Sequence, residues 1–112
     1  MDCLFCKIIE GSIPSEKVYE DDMMLCFKDI NPTCPVHVLM VPKKHIASLD
    51  ELTDDDNEVI AHMMLKVKDI AKTMGLDNGY RLVINTGEDG QQSVKHLHMH
   101  LIGGRKLNWP AG

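Results

Sequence analysis

Between Lys95 and Gly104 the chain reads KHLHMHLIGG, with His96, His98 and His100 at every second position and Leu97, Met99 and Leu101 between them. Side chains on a β-strand alternate between its two faces, so this period of two sorts the stretch into a histidine face and an apolar face. The pattern predicts a strand that buries Leu97, Met99 and Leu101 and turns three imidazoles onto an open, functional face of a sheet. A single histidine on a strand is usually just a satisfied polar residue. Three in alternation, half of the six in the chain, directly after a loop holding Asn85, Gly87, Gly90 and Ser93, are not explained by packing.

The rest of the sequence supplies the sheet. At 112 residues the chain is long enough for one domain with one modest core. CLFCKIIE (3–10) predicts a short helix ended by Gly11 and Pro14. KVYED (17–21) and MMLCFKDI (23–30) predict two strands around an acidic turn, and NPTCP (31–35) stops the second of them. VHVLMVP (36–42), β-branched and apolar, predicts a third strand closed by Pro42, and GYRLVINTG (79–87) a fourth that runs into the Gly-rich loop.

One long helix lies between them. Thr53 is an N-cap residue, three aspartates follow in the first turn, and Gly75 supplies the stop. Val59, Met63, Val67, Ile70 and Met74 form the buried stripe, widened by Ile60, Met64 and Ala71. His62 falls on the polar stripe and is expected in solvent, as is the acidic run Asp50–Glu58. The expected fold is α+β: about five mostly antiparallel strands, one long helix and a short N-terminal helix in a single domain over 1–112. So small a sheet with one long helix leaves an apolar face to cover, which points to a dimer.

Composition excludes some classes of function. A net charge of −5 argues against a general nucleic-acid surface, though local donors can still hold an anion in a pocket. With 44% hydrophobic and 26% charged residues and no apolar run of bilayer length, the chain reads as an ordinary globular protein with no membrane partner. The opening MDCLFCKIIEGSIP has no charged-then-apolar leader, so a cytoplasmic location and reduced thiols are expected. Cys26 and Cys34 read as small buried residues. Cys3 and Cys6 form a lone CxxC, compatible with metal, redox chemistry or accident.

Two chemistries use a histidine face: metal binding, and attack of a neutral imidazole on phosphorus with neighbouring donors holding the phosphoryl oxygens. The Gly-rich loop favours phosphate, because exposed amides in such a loop can make an anion nest and Asn85 and Ser93 add side-chain donors.

GQQSVKHLHMHLIGG resembles the signature of the histidine triad (HIT) family. The resemblance extends to CLFCKIIEGSIPSEKVYED, FKDINPTCPVHVLMVPKKHI, GYRLVIN and the terminal GGRKLNWPAG, the last similar to the branch that binds purine nucleotides and hydrolyses nucleoside phosphoramidates. It implies that His98 is the nucleophile, that His96 orients it through its backbone carbonyl, and that His100 and His37 lie beside the phosphate. It places Asn85, Ser93 and the backbone around Gln91 and Gln92 on the phosphate or leaving group, and Asp29 on the ribose hydroxyls. Ile30, Phe5, Ile8 and Phe27 would enclose the base; their alternative is ordinary core.

The same resemblance implies a homodimer in which the long helix and a sheet edge pair, and Trp109 reaches the partner's site. The alternative for Trp109 is a cover for its own core. One departure stands out: relatives of this branch often carry Gly-Gly-Gln-Ser where this chain has Gly90-Gln91-Gln92-Ser93, which puts a side chain into the loop. Some members of the superfamily bind Zn²⁺, and Cys3, Cys6, His45 and His96 make a Cys₂His₂ set suited to a closed structural site; His45 otherwise reads as a surface residue.

The reaction expected is cleavage of the P–N bond of a purine nucleoside 5′-phosphoramidate through a nucleotidyl-histidine, with no metal needed for catalysis. The alternatives are a dinucleoside polyphosphate hydrolase or nucleotidyl transferase, a non-catalytic nucleotide-binding protein, and a zinc-binding scaffold.

Overall fold

The computed structural model describes residues 3–112; Met1 and Asp2, which open the stretch read as lacking a leader, lie outside them. The elements are α1 (Leu4–Ile9), β1 (Lys17–Glu20), β2 (Met24–Lys28), β3 (Val36–Pro42), α2 (Asn57–Thr73), β4 (Tyr80–Val83) and β5 (Met99–Gly103). The strands form one antiparallel sheet in the order β1-β2-β3-β5-β4, so the histidine-bearing β5 lies inside the sheet between β3 and β4. No helix among the described residues is long and apolar enough to cross a membrane.

Alternation on the strands divides the core in two. One face buries Met24, Cys26, Val38, Met40, Leu97, Met99 and Leu101 against Val59, Met63, Val67, Ile70 and Ala71 of α2. The other buries Leu25, Phe27, Leu39 and Val41 against Phe5 and Ile8 of α1. Met74 joins the α2 core at its edge, but Met64 is half exposed, so the buried stripe is narrower than its spacing suggests. Cys34 is buried, as Cys26 is.

The fifth strand is shorter than the alternation predicts: it begins at Met99, and His96 and His98 precede it. Pro42 gives the reason. The Lys43 amide donates to Met23 on the β2 side, so the backbone of Pro42 faces β5. Proline has no N–H to offer there, and the β3–β5 ladder stops at the Met40–Met99 pair. Beyond it the chain is held differently: the Leu97 amide donates to the Ile46 carbonyl at 2.6 Å, and the His96 ring bonds the Pro42 carbonyl. The fourth strand likewise ends at Val83, before the expected Gly87.

Two polar groups expected in solvent have tertiary jobs. Asp56 is buried; it accepts from Lys44 at 2.6 Å and closes a capping box with Thr53 at the start of the helical segment. His62 donates from Nε2 to Asp21, tying α2 to the β1–β2 turn. Asp21 also accepts from the Tyr19 hydroxyl and from the amides of Met23 and Met24. Burial works against ionisation of Asp21, but these four donors outweigh it and hold the carboxyl well below the usual carboxylate range.

A carboxyl with a depressed folded pKa binds fewer protons folded than unfolded. Its contribution is present above the unfolded value of about 4 and is lost as the pH falls below it. Urea midpoints measured from pH 6 down to pH 2 should therefore fall steeply below about pH 4. Asp21→Asn should be less stable at neutral pH and show a flatter acid limb.

Candidate active site

The alternation expected around β5 survives although the strand is shorter. His96, His98 and His100 lie on the α1 side of the sheet, opposite Leu97, Met99 and Leu101. That side is not open. His96 is 0% and His98 3% exposed, because α1 packs over them: the Phe5 ring meets His98 edge-on at 5.0 Å and His96 at 6.0 Å. Only His100 is partly exposed.

Buried imidazoles need partners, and the partners assign the tautomers. The His96 carbonyl lies 2.8 Å from His98 Nδ1 and can only accept, so Nδ1 carries the proton, and in the neutral ring the lone pair is on Nε2. The Thr33 amide donates to His37 Nδ1 at 3.1 Å, so His37 carries its proton on Nε2 and donates to His100 Nδ1 at 2.9 Å. His100 then presents Nε2–H. Burial, followed by the neighbouring His98 and His37, lowers the His100 pKa to about 4, so the ring is neutral at pH 7. Asp29 Oδ2 lies 3.4 Å from His37 Nε2, and its Oδ1 accepts the Asn31 amide at 2.8 Å.

A cavity of about 310 Å³ opens beside these rings. Its walls include Phe5, Ile8, Phe27, Asp29, Ile30, Ser93, His98 and His100, all singled out from the sequence. Leu39, Ile13 and Pro14 also line it, and neither their spacing nor their chemistry marked them. Phe5, Ile8 and Phe27 serve both proposed purposes, since they belong to the α1-side core and to the cavity wall. Ile30 is 91% exposed, an apolar side chain held in solvent at the cavity rim.

A second, smaller cavity of about 220 Å³ adjoins the first, with His100 as the shared wall; it is lined by Thr33, His37, Val83, Asn85 and Ile102. Trp109 is 82% exposed and covers no core of its own chain. A larger cavity of about 570 Å³, between the α2–β4 turn and residues 104–106, has no buried polar side chain in its walls and no convergent chemistry.

The Gly-rich loop is braced from within. The Gln91 amide donates to the Glu88 carbonyl and the Gln92 amide to the Gly87 carbonyl, so these amides close the loop, and Ser93 is its residue that reaches the cavity. The Gln92 side chain spans the loop base, donating to Ala47 and Val94 and accepting from the Gly87 amide. A Cβ at Gly90 would lie 2.5 Å from the Thr86 carbonyl oxygen, so that position admits only glycine.

The second cluster joins Cys3, Cys6, His45 and His96, whose donor atoms all lie within 4.8 Å of one another. A tetrahedral Zn²⁺ site with usual bond lengths has N···N edges of about 3.3 Å and S···N edges of about 3.5 Å. Here His45 Nδ1 and His96 Nδ1 are 3.1 Å apart, and three sulfur-to-nitrogen edges are 3.3, 3.4 and 3.6 Å. His96 donates Nε2–H to Pro42 at 2.8 Å, which leaves its Nδ1 lone pair aimed at the cluster. Burial holds the His96 ring below the usual imidazole range against the opposing pull of that bond. Burial, then the hydrogen bond with the Cys3 thiol, pushes the Cys6 thiol up to about 11. The donor set and its spacing fit a closed Cys₂His₂ site; a cation there would displace thiol protons.

Gln91 occupies a left-handed conformation, φ +59°, the only non-glycine among the described residues to do so. An L side chain in that region costs about 1–2 kcal/mol, part of which glycine gives back as unfolded-state entropy. Gln91→Gly should raise the unfolding free energy by about 0.5–1 kcal/mol, read as a higher urea midpoint at unchanged slope.

Comparison with known proteins agrees with this geometry. A family model described as "Scavenger mRNA decapping enzyme C-term binding" matches residues 2–108. An uncharacterized HIT-like protein of Synechocystis sp. is 48% identical over 111 residues, covering 99% of this chain and 97% of the relative. The crystal structure of a HIT family hydrolase from Legionella pneumophila superposes with a TM-score of 0.96 at 48% identity, covering 99% of this chain and all of that one. A histidine triad nucleotide-binding protein from Candida albicans superposes at 0.83 with 36% identity, covering 99% and 85% of the two chains. With a relative this similar along nearly the whole of both sequences, the chain belongs to the histidine triad family.

Proposed function

We propose that the protein is a nucleotide hydrolase that cleaves the P–N bond of purine nucleoside 5′-phosphoramidates through a nucleotidyl-His98 intermediate. The observation that carries this reading is the bond from His98 Nδ1–H to the His96 carbonyl, which in the neutral ring puts the nucleophilic lone pair on Nε2 of a residue that lines a mostly apolar cavity. The similarity to a protein called a HIT family hydrolase and to one called nucleotide-binding supports the broader class.

In this mechanism the Nε2 lone pair attacks phosphorus, the P–N bond breaks, and its electron pair leaves with the amine nitrogen. That nitrogen takes its proton from a water molecule in the cavity held by Ser93 and His100, which leaves a hydroxide there. The His98 ring becomes cationic as the new bond forms, and its Nδ1–H bond to the carbonyl strengthens with the charge, so the contact is worth more in the transition state than before it. That hydroxide then attacks phosphorus, the P–Nε2 bond breaks with its electron pair returning to a neutral His98 ring, and nucleoside monophosphate is released.

His100 Nε2–H and the Ser93 hydroxyl are the donors for phosphoryl oxygens beside His98, and Asn85, in the adjoining cavity across His100, is a donor on the leaving-group side. Asp29 has lone pairs left on Oδ2 for ribose hydroxyls, and Ile30 with Phe5, Ile8 and Phe27 provides apolar surface for a purine.

We read Cys3, Cys6, His45 and His96 as holding a structural Zn²⁺, which when bound supplies a cross-link between α1 and the segments flanking β3 and β5. We also read the chain as a homodimer. The sheet edge at β4, the exposed Met64 and Leu65 on α2 and the exposed Trp109 support that reading.

Turnover of a purine nucleoside phosphoramidate, followed by release of amine and monophosphate, tests the proposal. His98→Ala should reduce kcat by about a thousandfold or more. His98→Asn, which keeps a donor near the His96 carbonyl, should be similarly inert yet still bind nucleoside monophosphate. A wild-type protein that binds monophosphate with no turnover would falsify the enzymatic reading in favour of a binding protein.

A further inference from the structure

His96 makes hydrogen bonds in three directions and is fully buried. Its Nε2–H reaches the Pro42 carbonyl, its Nδ1 faces Cys3, Cys6 and His45, and its own carbonyl holds His98 Nδ1–H. The segment that carries it lies outside the sheet ladder, which stops at Met99. The position of the His98 ring therefore depends on how residues 96 and 97 are anchored rather than on strand pairing.

Two anchors are main-chain and fixed: the Pro42 carbonyl and the Leu97–Ile46 bond. The third is the four-donor cluster. It joins α1, through Cys3 and Cys6, to the segment after β3, through His45. Phe5, between the two cysteines on α1, is also the ring packed edge-on against His98. Both the carbonyl that orients the nucleophile and the aromatic wall that confines it are thus attached to the same cluster.

We propose that His96 is a positioning residue that couples occupancy of the Cys3–Cys6–His45–His96 cluster to the geometry of the nucleophile. With a cation in the cluster, the His96 main chain is clamped and the His98 ring is held with Nε2 in the cavity. Without one, the clamp loosens and turnover falls much further than nucleotide affinity, because Phe27, Asp29 and Ile30 belong to β2 and the loop after it and share no residue with the cluster, while of the residues proposed to enclose the base only Phe5 and Ile8 are carried by α1. This inference rests on the nucleotidyl-transfer reading above.

The test compares the full chain loaded with Zn²⁺ and after removal of the metal by a chelator. In ¹⁵N spectra of the histidine rings, without substrate, the loaded protein should show a single Nδ1–H tautomer at His98, and the metal-free protein an averaged signal. Removal should lower kcat by about tenfold or more, the size of loss that follows when a supporting shell is disturbed. KM and monophosphate affinity should change by no more than about threefold, well short of the loss in kcat, and added Zn²⁺ should restore kcat.

Should the metal-free chain unfold, variants at saturating Zn²⁺ give the same comparison. Cys6→Ala should lose kcat, and Cys6→His, which returns a fourth donor, should recover part of it. A folded metal-free protein with unchanged kcat and an unchanged His98 signal overturns the coupling, as does a chain that takes up no Zn²⁺. A loaded protein without phosphoramidate turnover instead defeats the functional reading, and the ring spectra still decide the coupling.

Discussion

The site depends on one buried histidine whose two ring nitrogens and carbonyl are all engaged. A buried imidazole without partners would cost more than its packing returns, so His96 stays inside only because Pro42, the cysteine–histidine cluster and His98 all meet it. Each partner lies on a different segment. Satisfying one side chain and one carbonyl therefore fixes the end of β3, the first helix and the nucleophile relative to one another. The polar network and the fold are here the same set of contacts.

The strand pattern does a second piece of work. Leu97, Met99 and Leu101 enter the core against α2, where most of the apolar burial lies, and this fixes the register of β5. A slip of one residue would send the histidines into that core and the leucines into the cavity. The register that stabilises the protein is also the one that presents imidazoles to the α1 side, so selection for packing and selection for chemistry do not compete along this strand. Strain is placed elsewhere, in the Gly-rich loop, where Gln91 holds a left-handed backbone and Gly90 approaches Thr86 too closely for any side chain.

The sequence showed most of this where the signal was periodic or local. The five strands, the two helices, the division of β5 into two faces and many of the residues around the cavity follow from alternation, from stop residues and from the family's motifs. What escaped was set by tertiary partners. His62 looks like a surface residue until the β1–β2 turn brings Asp21 to it, and Asp56 looks like one more acid in a solvated run until Lys44 arrives. The length of β5 turned on a proline in a different strand. The loop amides of Gln91 and Gln92 looked available for an anion because a sequence does not reveal that they are already bonded within the loop. The openness of the histidine face was misjudged for a related reason: α1 is short, and nothing local says which face of the sheet it will cover.

The tautomers complete the chemical argument. Each imidazole in the cavity takes its proton position from a backbone group: His98 from the His96 carbonyl, and His37 from the Thr33 amide, which passes the assignment on to His100. A carbonyl can only accept and an amide can only donate, so each backbone partner fixes which nitrogen of the neutral ring carries the proton. The first makes His98 a lone-pair donor toward the cavity, and the second makes His100 a hydrogen-bond donor. A nucleophile and an anion-stabilising group of the same residue type thus stand side by side, with ring centroids 5.0 Å apart, told apart only by which backbone atom each one meets. His100, neutral at pH 7, does its part without a positive charge that would disfavour the cationic ring forming on His98 during attack.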